Sequence, residues 1–235
     1  MGRAFEYRKE RKMKRWGAMA KAFTRIGKDI AIAVKAGGGD PDTNARLRAC
    51  INNAKAVNMP KDRVDNAIKR AVSKDTANYD EVTYEGYGPH GVAIVVDTAT
   101  DNPTRTVANL RVHFNKTGGT MGTSGAVEYM FKKLAFFKFA KGAMNVEELE
   151  LELIDNGLTE IQDDEGVLTA YAEFTDFGNL SKALEEKGIE VTESGYEKVP
   201  DFFKELSDAE AEDVIKLIER LEEDEDVQQV FHNMK

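Results

Sequence analysis

The stretch LAFFKFA, residues 134–140, is apolar and aromatic apart from one lysine, which predicts a β-strand. Apolar residues then recur at helical spacing over 146–155 and again over 177–186. Further strands are predicted at 158–162, 167–174 and 190–199. The resulting order, strand–helix–strand–strand–helix–strand, is the order of a ferredoxin-like fold.

The segments on either side of this unit predict one further sheet. Before it, strands are expected at 81–87, 92–97 and 126–131, with a helix that opens at Asn102-Pro103. After it, Ser207 and Glu210 have the spacing of a capping box, and Val227–Phe231 follows as a strand. A sheet built from both segments is covered by two helices, whereas either segment alone supplies only one helix to cover its strands. We therefore expect a second α/β domain that the ferredoxin-like domain interrupts.

The first third of the chain predicts helices only. Apolar residues from Trp16 to Val34 recur at spacings of three and four, as on one face of an amphipathic helix. The glycines at 37–39 are expected to end this helix, and Asp40-Pro41 to start a second one. Asn58-Met59-Pro60 separates a third.

The sequence thus predicts an α+β protein, with a helical N-terminal domain followed by two α/β domains, the ferredoxin-like one inserted into the other. The predicted domain ranges are 1–78 for the helical domain, 79–132 together with 203–235 for the interrupted domain, and 133–202 for the inserted one.

Charge is distributed unevenly along the chain. Residues 1–70 contain 18 Lys and Arg against 7 Asp and Glu, a net charge of +11. The remainder contains 15 against 35, a net charge of −20. A strongly basic segment on an acidic protein is typical of a polyanion-binding surface, because each cation that neutralises a phosphate releases a condensed counterion. The alternative is that the basic face docks on the acidic remainder.

The candidate nucleic-acid contacts are basic residues of the first two predicted helices and the segment before them. They are Arg3, Arg8, Lys9, Arg11, Lys12, Lys14, Arg15, Lys21, Arg25, Lys28, Arg46 and Arg48. Phe5 and Tyr7 lie among them and either stack on unpaired bases or pack on the helices. No groove-reading motif accompanies the patch, so the spacing predicts phosphate contacts rather than base readout.

Other chemistry finds little support in the sequence. The three histidines are not at ligand spacing and Cys50 is the only cysteine, so we expect no metal site, no cofactor and no enzyme. The glycine-rich run at 118–125 follows a helix, the reverse of the phosphate-binding order, and is either a long turn or a source of backbone donors. We also expect no membrane partner, no small-molecule substrate and a cytoplasmic location.

Several motifs resemble the YebC family. The first is KAGGGDPD at 35–42, followed by NARLR at 44–48. The others are NMPKD at 58–62, YEGYGP at 84–89, DNPTRT at 101–106, KTGGTMG at 116–122 and EDVQQVFHN at 225–233. The resemblance covers nearly the whole chain. It departs at the N-terminus, where members commonly begin Gly-His-Ser-Lys-Trp and this chain has GRAFEYRK at 2–9.

The resemblance implies three domains and a non-enzymatic role. Members are generally named probable transcriptional regulators that bind DNA. A related branch acts in translation, as mitochondrial translational activators and as bacterial factors that assist ribosomes. The first hypothesis is therefore a DNA-binding transcriptional regulator. The alternatives are a ribosome-associated translation factor that contacts ribosomal or transfer RNA through the same basic domain, and a protein-interaction scaffold.

Overall fold

The structure is a computed structural model that describes residues 3–73 and 77–235, with side chains from residue 19 onward. It contains two compact units, Met1–Ala77 and Asn78–Lys235, and each is described by itself. No helix in the described ranges is both long and apolar enough to cross a membrane.

The first unit is helical, as the apolar spacing predicts. Its helices are α1 (Arg3–Gly37), α2 (Ala45–Ala56) and α3 (Lys61–Val72). Ile30 of α1 and Leu47 and Ala54 of α2 are fully buried, and Val64 of α3 packs in the same core. The apolar faces of the three helices thus meet in one small core, and their polar faces point away from it.

The prediction that Asp40-Pro41 starts the second helix is wrong. Residues 41–43 form a turn in which Asp40 accepts a hydrogen bond from the Asp42 N–H at 3.0 Å, and α2 begins at Ala45. The cap is Asn44, whose side-chain oxygen accepts from the Leu47 N–H at 3.0 Å. Asp40 has the right residue type for a cap, but its side chain is used by the turn instead.

The second unit contains the remaining helices and all the strands in the described ranges. The helices are α4 (Pro103–Lys116), α5 (Val146–Leu153), α6 (Phe177–Glu186) and α7 (Asp208–Glu223). The strands are β1 (Asp80–Tyr87), β2 (Ala93–Thr100), β3 (Thr120–Met121), β4 (Phe131–Ala140), β5 (Leu158–Asp164), β6 (Val167–Glu173), β7 (Val191–Pro200) and β8 (Val227–His232). Short 3₁₀ turns lie at Pro89–Gly91, Glu128–Met130, Ile154–Asn156 and Phe174–Asp176.

The first sheet has the order β3-β1-β2-β8, and its paired strands are antiparallel. Helices α4 and α7 cover one face, where Phe114 and Leu217 are fully buried against Ile94 and Val96 of β2. The strand β8 is separated in sequence from its partner β2 by the whole second sheet. The interruption predicted from the sequence is therefore present.

The strand predicted at 126–131 is wrong in its position. The third strand of the first sheet is the two-residue β3, and residues 128–130 form a 3₁₀ turn. The N–H groups of Gly125, Val127 and Glu128 all donate to the Glu85 carboxylate. These donors are consequently not used in a strand ladder, although the apolar residues of the segment resemble one.

The second sheet has the ferredoxin-like strand order β5-β6-β4-β7, with every pair antiparallel. Helices α5 and α6 pack on one face around Phe137, Phe139 and Leu153. The chain order through this sheet is βαββαβ, and the predicted fold class is confirmed. Strand pairing supports dividing the second unit into 79–132 with 203–235 and 133–202, and we propose these ranges as its domains.

Candidate nucleic-acid interface

The N-terminal half of the predicted interface lies on α1. Its backbone is helical from Arg3 to Gly37. The side chains of the first seven candidates lie outside the described part of the chain, so their contact role stays a prediction. They are Arg3, Arg8, Lys9, Arg11, Lys12, Lys14 and Arg15.

The other three candidates of α1 differ in exposure. Lys21 is exposed, Arg25 is half-buried and Lys28 is only 7% exposed. A phosphate contact needs an ammonium or guanidinium group that the backbone of a nucleic acid can reach. Lys21 meets this requirement best, and Lys28 meets it least.

The two candidates of α2 also differ. Arg46 is exposed on the first turn of the helix. Arg48 is half-buried, and its Nη1 donates to the carbonyl oxygens of Pro41 and Asp42, both at 3.0 Å. The guanidinium of Arg48 therefore stabilises the loop before α2, whereas Arg46 is presented to solvent.

That loop is also fixed by Asn44, which is buried between two helix ends. Its side-chain amide donates to the carbonyl oxygens of Ala33 and Gly38, both at 2.8 Å. Gly37 leaves room for it, since a Cβ there would lie 2.8 Å from the Asn44 amide nitrogen. Asn44 thus satisfies acceptors at the end of α1 and a donor at the start of α2.

The interface prediction omitted the basic residues from the end of α2 onward. Lys55, Lys61, Lys69 and Arg70 are exposed, and none of them forms an ion pair with another residue in the described ranges. The guanidinium of Arg63 lies 5.6 Å from the centre of the Phe23 ring. The signal was available in the sequence, because residues 55–70 contain five Lys and Arg against two Asp. This surface carries positive charge that is not neutralised locally.

The glycine-rich loop of the second unit holds a carboxylate of its own chain. Glu85, 3% exposed on β1, accepts hydrogen bonds from the N–H groups of Gly125 at 2.6 Å and of Val127 and Glu128 at 2.7 Å. Burial raises the pKa of Glu85, but the three N–H donors and the charge of Lys198 outweigh it, and the pKa lies below its ordinary value. These donors of the loop are therefore occupied by Glu85.

A buried lysine connects the two sheets of the second unit. Lys198 of β7 is 6% exposed, and its ammonium donates to Asp97 of β2 at 2.8 Å and to Glu128 at 2.9 Å. Asp97 also accepts from the hydroxyls of Thr83 at 2.7 Å and Tyr196 at 2.9 Å. The charges of this cluster are paired and hydrogen-bonded, as buried charges need to be.

The motif at 101–106 also has a structural role. Asp226 is buried, and its carboxylate accepts from Arg105 at 2.7 Å, Thr106 at 2.9 Å and Thr100 at 3.3 Å. These bonds join the start of α4 to the segment before β8. Among the described residues, no three His, Cys, Asp or Glu are grouped as metal ligands.

Two family models match the chain. The N-terminal domain of TACO1/YebC proteins matches residues 3–74, and the second and third domains of these proteins match residues 79–234. The chain belongs to the TACO1/YebC family. The motifs that suggested this family include the Asn44 loop, the Glu85 loop and the Asp226 cluster, and each of them has a defined structural role.

Curated TACO1/YebC relatives match along their whole length. A probable transcriptional regulatory protein of Flavobacterium johnsoniae is 60% identical over 235 residues, which cover 100% of this chain and 99% of the relative. One from Flavobacterium psychrophilum is 59% identical, with 100% of both chains covered. Among solved structures, a conserved hypothetical protein from Aquifex aeolicus has a TM-score of 0.78 at 34% identity, covering 92% of this chain and 90% of that one.

Proposed function

We propose that this protein is a non-enzymatic transcriptional regulator that binds DNA through its helical unit. The observation that carries the proposal is the exposed positive charge of Lys55, Lys61, Lys69 and Arg70, which form no ion pair in the described ranges and lie on a segment whose net charge is +11. When such a surface neutralises phosphates, condensed counterions are released from the nucleic acid, and this release favours binding. The names of the curated relatives support the regulatory role.

Binding is expected to rest on phosphate contacts. In the helical unit the guanidinium of Arg48 donates to the Pro41 and Asp42 carbonyls, while the exposed cations of the described helices are mostly lysines, which act as point charges. Phosphate contacts position a protein on nucleic acid without reading its sequence. The acidic second unit repels the same polyanion, which favours binding to the helical unit alone.

Salt dependence and crosslinking test the proposal. If about six phosphates are contacted, log K falls with log salt at a slope of about −5 on duplex DNA. Crosslinking in cells followed by recovery of a reproducible set of DNA fragments is the expected result. A salt-independent affinity, or crosslinks to protein alone, would contradict the proposal.

The second candidate is a ribosome-associated translation factor that binds RNA through the same surface. The absence of a groove-reading motif beside the basic surface favours RNA or weakly specific binding over promoter readout. The test is sedimentation of the endogenous protein from cell lysate before and after mild nuclease and a salt step. Salt-sensitive migration with ribosomal particles that survives the nuclease selects translation, whereas migration as free protein rejects it.

A further inference from the structure

The second sheet has a face that lies opposite α5 and α6. Phe136 of β4 lies between Tyr171 of β6 and Gly195 of β7 in the strand register. Side chains alternate along a strand, so these residues share the face that Phe137, in the core under the helices, does not. A Cβ on Gly195 would lie 3.1 Å from the Phe136 ring, which places that ring across the glycine.

Phe136 and Tyr171 lie on the two central strands of this four-stranded sheet. RNA-recognition sheets use aromatic residues of a four-stranded sheet to stack bases. Here the two rings are not equally available. Phe136 is only 7% exposed, whereas Tyr171 is half-buried. The face therefore presents one accessible ring, which is a poor platform for successive bases.

The lysines of this face are already paired. Lys132 is 3.0 Å from Glu173, and Lys138 is 3.0 Å from Glu193. The Lys138 ammonium also lies 5.2 Å from the centre of the Phe136 ring. These pairs leave no net positive charge on the face for a phosphate backbone.

Two further carboxylates lie close to Tyr171. Glu160 is its register partner on β5, and Glu197 lies on β7. Burial raises the pKa of Tyr171, and the negative charges of Glu197 and Glu160 raise it further. In the part of the chain that the structure describes, neither glutamate forms an ion pair. The surroundings of the accessible ring therefore carry net negative charge.

We propose that this face binds a cationic protein segment, with an arginine or lysine side chain over the Tyr171 ring and between Glu160 and Glu197. A tyrosine ring attracts a guanidinium or ammonium through its negative face, and the two carboxylates add ion pairs. The same carboxylates repel nucleic acid. The surface belongs to the second unit, and the proposal does not depend on nucleic-acid binding by the helical unit.

The test is an NMR titration of the isotope-labelled full chain with a short peptide of alternating arginine and glycine, and separately with oligouridine. The peptide is expected to shift backbone amide signals of β5, β6 and β7, and oligouridine is expected to leave them unchanged. Peptide-induced shifts that avoid these strands, or RNA-induced shifts within them, would overturn the proposal.

Paired variants separate a built site from general attraction to an acidic protein. Glu160→Gln with Glu197→Gln is expected to weaken peptide affinity about tenfold, since it removes both carboxylates that pair with the bound cation. Glu147→Gln with Glu148→Gln removes the same charge from exposed positions on α5. Equal losses in the two double variants would reject the site.

The ring itself is tested with two substitutions. Tyr171→Phe retains the aromatic face and is expected to bind the peptide within about twofold of the parent, whereas Tyr171→Leu is expected to lose several-fold in affinity. Amide shift dispersion verifies folding of each variant. Equal affinity of the leucine and phenylalanine variants would remove the ring from the proposal.

Discussion

Asn44 stabilises the helical unit at two helix ends at once. Its side chain donates to Ala33 and Gly38 and accepts from Leu47, and it is 6% exposed. No single backbone group at either end could replace these three bonds. A buried side chain with such contacts is expected to dominate the stability of the loop before α2.

Substituting Asn44→Ala is expected to destabilise the protein by about 2–4 kcal/mol, because it removes a helix cap and leaves two carbonyl groups without their donor. Urea unfolding followed by circular dichroism measures the change. Thr43→Ala is the control, since Thr43 is exposed and its hydroxyl makes one weak bond of 3.3 Å to Asp40. A loss below about 0.5 kcal/mol for Asn44→Ala would contradict this role.

Glu85 makes the free energy of unfolding depend on pH in the acid range. Its pKa in the folded protein lies below the ordinary value of 4.5, so its contribution to stability is fully present above that value. The contribution is lost as the pH falls through the folded-state pKa. We expect the unfolding free energy of the parent to fall in this window more steeply than that of Glu85→Gln.

Urea unfolding of both proteins over a pH series from neutral to acid checks this prediction. At neutral pH the Glu85→Gln variant is expected to be less stable by about 1–3 kcal/mol, because an amide accepts the three backbone hydrogen bonds less well than a carboxylate. The two stability curves should converge on acidification. Parallel curves would show that Glu85 is not the titrating group.

At the scale of the element, the exposed lysines of α3 extend the proposed interface beyond α1. Lys61 and Lys69 have no ion-pair partner in the ranges that the structure describes. If both contact phosphates, Lys61→Gln with Lys69→Gln reduces the slope of log K against log salt by about 2 on duplex DNA. Fluorescence anisotropy over a salt series measures the slope.

The matched control for this pair is Lys182→Gln with Lys216→Gln, which removes two exposed lysines from the acidic second unit. Those lysines pair with Glu186 and Asp213, so their removal should leave the slope unchanged. A slope that changes equally in both double variants would indicate a response to net charge alone and would remove α3 from the interface.

The elements most accessible to prediction were those with long periodic patterns. The helix predicted at 177–186 agrees with α6 at both ends, because its apolar spacing is regular. The segment 126–131 was misassigned, since the partner that takes its N–H donors, Glu85, is about 40 residues away in sequence. Local patterns contain no information on such a partner.

The candidate site was predictable in outline and not in detail. The charge split identifies the basic segment, but exposure distinguishes Lys21 from Lys28, and exposure depends on which face of α1 is buried. Arg48 shows the same limit, because its carbonyl partners exist only once the turn at 41–43 has formed. Basic residues that are alike in the sequence, such as Lys21 and Lys28, therefore differ in their availability to a ligand.

At the scale of the whole molecule, Lys198 contributes a buried, charged connection between the two sheets of the second unit. Lys198→Met leaves Asp97 and Glu128 without their shared cation, and Asp97 is itself only 7% exposed. We expect a loss of about 3–5 kcal/mol, the cost of an uncompensated buried charge. Urea unfolding of the full chain measures this loss.

Lys138→Met is the control for Lys198→Met. Its ion pair with Glu193 lies at the surface, with side-chain exposures of 36% and 43%. Exposed pairs contribute about 0–1 kcal/mol, so this variant should unfold close to the parent. Similar losses for both variants would show that the cluster between the sheets does not hold them together.

The position of β8 imposes an order on folding during protein synthesis. The strand β2, whose residues are all buried, pairs with β8, yet every residue of the second sheet is translated between them. The inserted sheet contains all its own strands and is free to fold as it leaves the ribosome. Until β8 has been synthesised, β2 is an unpaired edge strand of the first sheet. In a chain that ends early, this edge can pair with strands of other nascent chains. Prematurely terminated chains that stop before Val227 should therefore aggregate or be degraded, even though most of their structure is in place.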